Sequence, residues 1–305
     1  MRVAMFNMYS GNLHSMQQTL SQLGVLDQQL SSSKALLRPS DDPIGKVKVL
    51  NCERDLAKTN QYIDNIDSLS TSLERAETYL DSLVQAQNRM REIVISANNG
   101  QHSAADQEGY ADELSALMDT CVDILNARDA AGNYLFSGNH TRTPTVELDA
   151  SGQYQFKGDA EHRQVQISAD SWVDANVTAK EFWFSNGSED LLNQTAEYIK
   201  VLRDPNKAPG DADFETVAGA MMQSLDDTLS SLGAAITDIG GKQNRLSLGK
   251  SSHQEMALFT KEVIGETEAL DYPAATSEFQ MKLTALRVSQ QSFVKISQLT
   301  LFNHL

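Results

Sequence analysis

The sequence predicts a mainly α protein. Its N- and C-terminal halves build a long antiparallel helical bundle or coiled coil, and a small β-rich domain is inserted between them. Three observations carry this. The 305 residues are 40% apolar but only 7% aromatic, with 17 Gly and 6 Pro, a composition poor in turn formers and suited to long helices. Apolar residues recur at heptad spacing through both halves, the pattern of an interhelical seam. Only between about 134 and 186 does the period change to two, the signature of short strands.

The first element is an end helix within residues 1–42. Its heptad register reads Phe6, Tyr9, Leu13, Met16, Leu20, Leu23, Asp27, Leu30, Lys34 and Leu37, apolar at eight of ten positions where composition alone gives about four. The run stops at "LLRPSDDPIGKVKV", Leu36 to Val49. Pro39 disfavours helix at Arg38. Ser40, Asp41 and Asp42 are good N-cap types, because a short side-chain oxygen can accept an orphan backbone N–H. Pro43 suits a first helical turn, and acids there favour the positive end of the helix dipole. Two adjacent acids could also serve a metal or acid/base site, but that chemistry needs further ligands or a base nearby, and the sequence shows none. The stretch therefore reads as a helix stop followed by a helix start.

The second helix follows the register Tyr62, Ile66, Leu69, Leu73, Ala76, Leu80, Leu83, Gln87, Met90, Val94 and Ala97. Gln87 is the single polar member. At 1.5 Å per residue it would run roughly 60 Å. "NNGQHSAAD" at 98–106 ends it, with Gly100 as the expected C-cap. A third helix carries Tyr110, Leu114, Leu117, Cys121 and Ile124. Together these make residues 43–137 the first half of the bundle.

Residues 138–186 form the expected insert. "YLFSG", "TVELD", "YQFKGD", "RQVQIS" and "EFWFSNG" read as strands separated by Gly, Asn and Asp. About fifty residues are too few to bury a large core. Trp172, Trp183, Phe182 and Phe184 are read as the insert's own small core rather than as a ligand platform. The sequon Asn176-Val177-Thr178 is read as chance. The insert enters near Gly138 and leaves near Gly187, so it is expected to be replaceable by a short linker without loss of helix.

The second half of the bundle, 187–270, resumes with Phe214, Met221, Leu225, Leu229, Leu232, Ile236 and Ile239. "GGKQNR" at 240–245 is expected to break or bend it, with a further helix over about 251–270. Tyr272-Pro273 marks a boundary. The final helix, within 271–305, has a seam of Phe279, Leu283, Leu286, Phe293 and Ile296. First and last segments match in length and character, so the end helices are expected to pair. Each carries only a narrow seam, and isolated helices of that kind are marginal in water. They are expected to order on assembly rather than before it.

Charge and motifs exclude several functions. The net charge of −16 argues against a nucleic-acid surface. No run of about 18 apolar residues exists, so no membrane span is expected. The N-terminus lacks a secretory apolar core, leaving the cytosol or export by another route. Cys52 and Cys121 form no CxxC pair, and His14, His102, His140, His162, His253 and His304 contain no i, i+4 pair. "GGKQNR" lacks the phosphate-loop frame. No catalytic, cofactor or metal residue is expected. Residues 1–50 carry +2 and 261–305 carry −1, leaving −17 on the middle. Neutral, apolar-patterned ends beside an acidic body suggest ends that are buried in something.

Four stretches carry a family resemblance: "RPSDDPIGKVKV", "GNYLFSGNHTRTP" at 132–144, "YQFKGDAEHRQVQIS", and the ending "LDYPAATSEFQMKLTALRVSQQSFVKISQLTLFNHL". With the order of elements, they resemble the flagellin superfamily of axial proteins, and within it the hook-associated protein 3 family of hook–filament junction proteins. The resemblance covers essentially the whole chain. Flagellins typically have lysine in place of the first proline of "PSDDP" and match the last 36 residues less well. Val3 and Phe6 replace commoner choices, and the insert is variable in such families.

The resemblance implies a structural, non-enzymatic subunit without a cofactor. It would be exported unfolded by the flagellar type III apparatus, without a cleaved signal, to the outside of the cell. Its partners would be copies of itself in a ring, hook-associated protein 1 on the hook side, flagellin on the filament side and an export chaperone, with no nucleic acid and no membrane. The end helices would join the inner tube through the seam residues above. Pro39, Ser40, Asp41, Asp42 and Pro43 would form a structural elbow between radial layers. The alternatives are a flagellin of the filament itself and a cytosolic coiled-coil scaffold.

Overall fold

The computed structural model describes residues 2–99, 103–185 and 190–302. Seven helices and four strands are named among them: α1 Arg2–Ser32, α2 Pro43–Ala97, α3 Ala104–Leu125, β1 Val146–Leu148, β2 Tyr154–Phe156, β3 Gln164–Ser168, β4 Ser171–Asp174, α4 Ala179–Phe182, α5 Leu191–Arg203, α6 Ala212–Glu268 and α7 Tyr272–Phe302. The fold is mainly α with a small β insert. It divides into two compact units. One takes the chain up to Thr59 and from Glu255 onward, and the other takes Asn60–Gln254. The divisions fall inside α2 and α6. Both helices continue through them, so no break in local sequence marks the change.

In the first unit α1 runs antiparallel to α7, with Lys282 donating to Gln22 at 2.8 Å and the rings of Tyr9 and Phe293 4.7 Å apart. α1 stops at Ser32, well short of the expected end near 42. The physical reason is Ser33, whose φ of 59° lies in the left-handed region that terminates helices. Lys34 and Leu37 thereby leave the heptad seam.

In the second unit α2 and α6 run antiparallel, joined at their edges by Lys250 to Asp67 at 2.7 Å and Gln243 to Glu77 at 2.8 Å. Ile66, Leu73, Leu80, Leu83 and Met90 are buried in one core with Leu225, Leu232, Ile239 and Leu246. Burying each such side chain contributes about 1.5–3 kcal/mol. α6 passes through Gly240 and Gly241 unbroken, against the expected bend and the separate helix at 251–270. Each glycine costs about 1 kcal/mol relative to alanine, but Ile239 and Leu246 on either side are fully packed and hold the helix. Sequence reading also missed α5. It is capped by Asp190, packs on α3, and buries Leu191, Leu192, Thr195, Tyr198, Ile199 and Leu202.

The insert differs most from expectation. β1 pairs with β2 and β3 with β4, each antiparallel. "YLFSG" forms no strand, only an isolated bridge between Arg128 and Tyr134. "EFWFSNG" begins as the helical turn α4, where the Thr178 hydroxyl donates to Glu181 at 3.0 Å. Gly138 turns the chain at φ 73°, and a Cβ there would strike Asp159. The insert has no separate core. Phe136, Val146, Ile167, Val173, Phe182 and Trp183 belong to the same buried cluster as α2, α3, α5 and α6. Trp172 is not core at all but 51% exposed. Gly100 and Gly187, the expected cap and exit, lie outside the described residues.

Candidate assembly interface

The connector between α1 and α2 uses its two adjacent acids for different tasks. Asp42 is the N-cap of α2. Its carbonyl accepts from the Lys46 N–H at 2.9 Å and its Oδ1 from the Ile44 N–H at 3.0 Å. Pro43 occupies the first helical position, where its missing N–H costs nothing. Gly45 sits so close that a Cβ would collide with the Asp42 carboxylate. Asp41 does not cap the helix. Its Oδ2 accepts from the N–H groups of Arg38 at 2.7 Å and Leu37 at 3.2 Å, and its own N–H donates to the Arg38 carbonyl at 3.0 Å. It closes the turn whose exposed apex is Pro39 and Ser40. Both carboxylates thus accept backbone N–H groups, and among the described residues no group of three or more His, Cys, Asp or Glu could hold a metal ion.

A second connector, Ala269–Asp271, lies against the first. The Ala35 N–H donates to the Glu268 carbonyl at 2.8 Å, and Lys34 bridges to Ala269. Gln29 Nε2 donates to the Ala35 carbonyl at 2.7 Å, and the Tyr272 hydroxyl to the Leu30 carbonyl. Asp271 starts α7 by accepting from the Ala275 N–H at 2.9 Å and, through Oδ1, from the Ala274 N–H at 3.1 Å. At the centre is Glu268, 5% exposed, held by Lys34 at 2.6 Å and Lys46 at 3.3 Å. The Lys34 hydrogen bond, supported by Lys46, outweighs burial and keeps the Glu268 carboxyl below its ordinary range, while the same bond pulls Lys34 up. Sequence reading missed this trio. One signal was present: Lys34 breaks the heptad seam.

The seam residues form a graded surface. Leu23 and Leu286 are buried, together with Leu26, which the heptad register did not include. Met16, Leu30, Phe279, Leu283 and Phe293 are half-buried. Tyr9, Leu13 and Leu20 are exposed, Leu20 by 61%. Phe6 and Ile296 lie on α1 and α7, but their side chains fall outside the described residues. Other faces of the same unit are also bare: Met281 and Val288 on α7, Ile44 and Val47 on α2, and Leu258 and Phe259 on α6. Ile44 is 84% exposed. These exposed apolar side chains sit on α1, α2, α6 and α7 of one unit rather than scattered over the chain.

The family described as the bacterial flagellin N-terminal helical region matches residues 3–141. Flagellar hook-associated protein 3 of Escherichia coli K12 is 26% identical, covering 99% of both chains. Flagellin FlaB1 of Treponema pallidum is 23% identical over 74% of this chain and 71% of its own. Among solved structures, one described as a flagellar hook-associated protein from Vibrio parahaemolyticus is 34% identical with a TM-score of 0.71, covering 75% of this chain and 100% of that one. The hook-associated protein 3 of Legionella pneumophila shares the fold with a TM-score of 0.63 at 16% identity, over 72% of this chain and 98% of that one.

Proposed function

The chain belongs to the flagellar hook-associated proteins, and from that premise we propose that it is a member of the hook-associated protein 3 family and the structural subunit joining hook to filament in a bacterial flagellum. The single observation that carries the reading is the end-to-end similarity to hook-associated protein 3, where the similarity to a flagellin covers only three quarters of the chain.

The geometry supports how such a subunit works. α1 and α7 cover each other along one line and leave Leu13, Leu20, Met281 and Val288 exposed. Ordering a helix costs about 1–2 kcal/mol of backbone entropy per residue, and one seam recovers only part of that. Neighbouring subunits in a ring cover the remaining faces, so ordering of the ends is coupled to assembly. The paired connectors, with the turn at Pro39 and Ser40, the clamp at Asp41 and the cap at Asp42–Pro43, act as the elbow from which the end helices reach the inner tube. Hook-associated protein 1 lies on one side, flagellin on the other, and an export chaperone guards the ends before secretion through the flagellar apparatus. The protein is not an enzyme.

Immunogold labelling of intact flagella tests the proposal. Gold confined to the base of the filament, beside the hook, is the expected result. Gold along the filament, or robust growth of long filaments from seeds by this protein alone, returns the flagellin reading. Retention in cell lysate returns the cytosolic scaffold.

A further inference from the structure

We infer that the cleft between the β3–β4 hairpin and α6 binds a short neutral oligosaccharide. The cleft is open, with a volume of about 760 Å³, within the range of about 300–1,000 Å³ usual for ligand sites. The hairpin register pairs Gln164 with Asp174 and Gln166 with Trp172. Strand alternation therefore puts Gln164, Trp172 and Asp174 on the face opposite Val165 and Val173, of which Val173 is buried in the core. The chain has two tryptophans. Trp183 is buried, whereas the Trp172 indole stands in the cleft wall and makes no side-chain hydrogen bond or ring contact among the described residues. The exposed indole offers the cleft a broad, flat apolar face, which an occupant with a flat apolar face of its own can cover.

The rim specifies the rest of that occupant. Gln164 Nε2 donates to Asp174 Oδ1 at 3.1 Å, Lys242 pairs with Asp238 at 2.7 Å, and Arg245 donates to Ser171 Oγ at 2.6 Å. These contacts hold donors and acceptors in place before anything binds. Lys242 and Arg245 balance Asp174 and Asp238, so the rim has no formal net charge. An anion would meet two carboxylates and a cation two basic groups. A pyranose chain matches both features: its C–H face is flat and apolar, and its edge hydroxyls each donate and accept. The floor is kept low by Ala234 and Gly241. A Cβ at Gly241 would meet nothing, so packing within this chain does not require glycine there, although it costs the helix about 1 kcal/mol relative to alanine.

The test titrates the full-length protein with maltotetraose and chitotetraose, following tryptophan fluorescence and calorimetry, with tetragalacturonic acid as the anionic control. Saturable binding of at least one neutral sugar, stronger than the anionic one, is expected. Gly241→Leu should fold, as judged by unchanged helical circular dichroism, while its side chain fills the cleft and weakens binding at least about tenfold. Trp172→Ala, read by calorimetry, should do the same. No saturable binding at millimolar sugar would overturn the inference. So would equal or tighter binding of the anionic control, or undiminished binding by both variants.

Discussion

Glu268→Ala is the sharpest probe of the connectors. The substitution removes one buried carboxylate and strands Lys34 and Lys46 together. A hydrogen bond to a charged group contributes about 1.5–3 kcal/mol when buried. Lys46 is 22% exposed, but Lys34 is 53% exposed, so its share falls toward the surface value of about 0–1 kcal/mol. The expected local loss is about 2–3 kcal/mol. Read by amide hydrogen exchange, it corresponds to about 30- to 140-fold faster opening at Ala35, whose N–H donates to the Glu268 carbonyl. Glu268→Gln keeps an acceptor but not the charge and should fall between. The pH dependence has a definite sign. The folded carboxyl is held below its ordinary 4.5, so its contribution is complete above that value and disappears as pH falls through the folded one. Wild-type opening, corrected for intrinsic exchange, should therefore increase in acid, and Glu268→Ala should lack that increase. Unchanged protection at Ala35 in the alanine variant would refute the reasoning. It would mean that the backbone bridge between Lys34 and Ala269 holds the connectors without the carboxylate.

Asp42→Ala should cost about 1 kcal/mol in chemical denaturation through loss of the cap, while Asp42→Asn should cost little because asparagine also caps; equal losses would point to charge instead. Asp190 is buried at the start of α5, and desolvation, only partly offset by the Leu192 N–H, pushes its carboxyl up to about 7. The folded state therefore holds the proton more tightly, and stability should decline as pH rises from about 4 through about 7; Asp190→Asn should flatten that decline in melts at a series of pH values. Gln87 is 1% exposed and neither amide atom has a partner among the described residues, so Gln87→Leu should raise the denaturation free energy by about 1–2 kcal/mol, and a loss would reveal a hidden partner. Replacing 139–186 by a Gly/Ser linker should strip Ile167, Val173, Phe182 and Trp183 from the shared core and lower helical circular dichroism beyond the residues deleted; retained helix would show that the bundle core is self-sufficient.

The long helices and the small β insert were legible in the sequence because their causes are local. The register from Tyr62 to Ala97 repeats along one face whatever it meets, and Ser40 to Pro43 carries cap and first-turn chemistry within a few residues. The same locality explains the failures. Gly240 and Gly241 suggest a bend when read alone, but Ile239 and Leu246 are anchored by α2, and packing on a distant segment outweighs a propensity of about 1 kcal/mol per residue. "EFWFSNG" alternates like a strand, yet Phe182 and Trp183 are both drawn into the core through the α4 turn. Alternation on β4 separates Trp172 from Val173 but does not say which of them faces the core. That choice belongs to the elements behind the hairpin. Glu268 is 234 positions from Lys34 and 222 from Lys46. No periodicity connects such residues, because an ion pair depends on distance in space, and only the antiparallel return of α6 and α7 onto α2 and α1 brings these charges together.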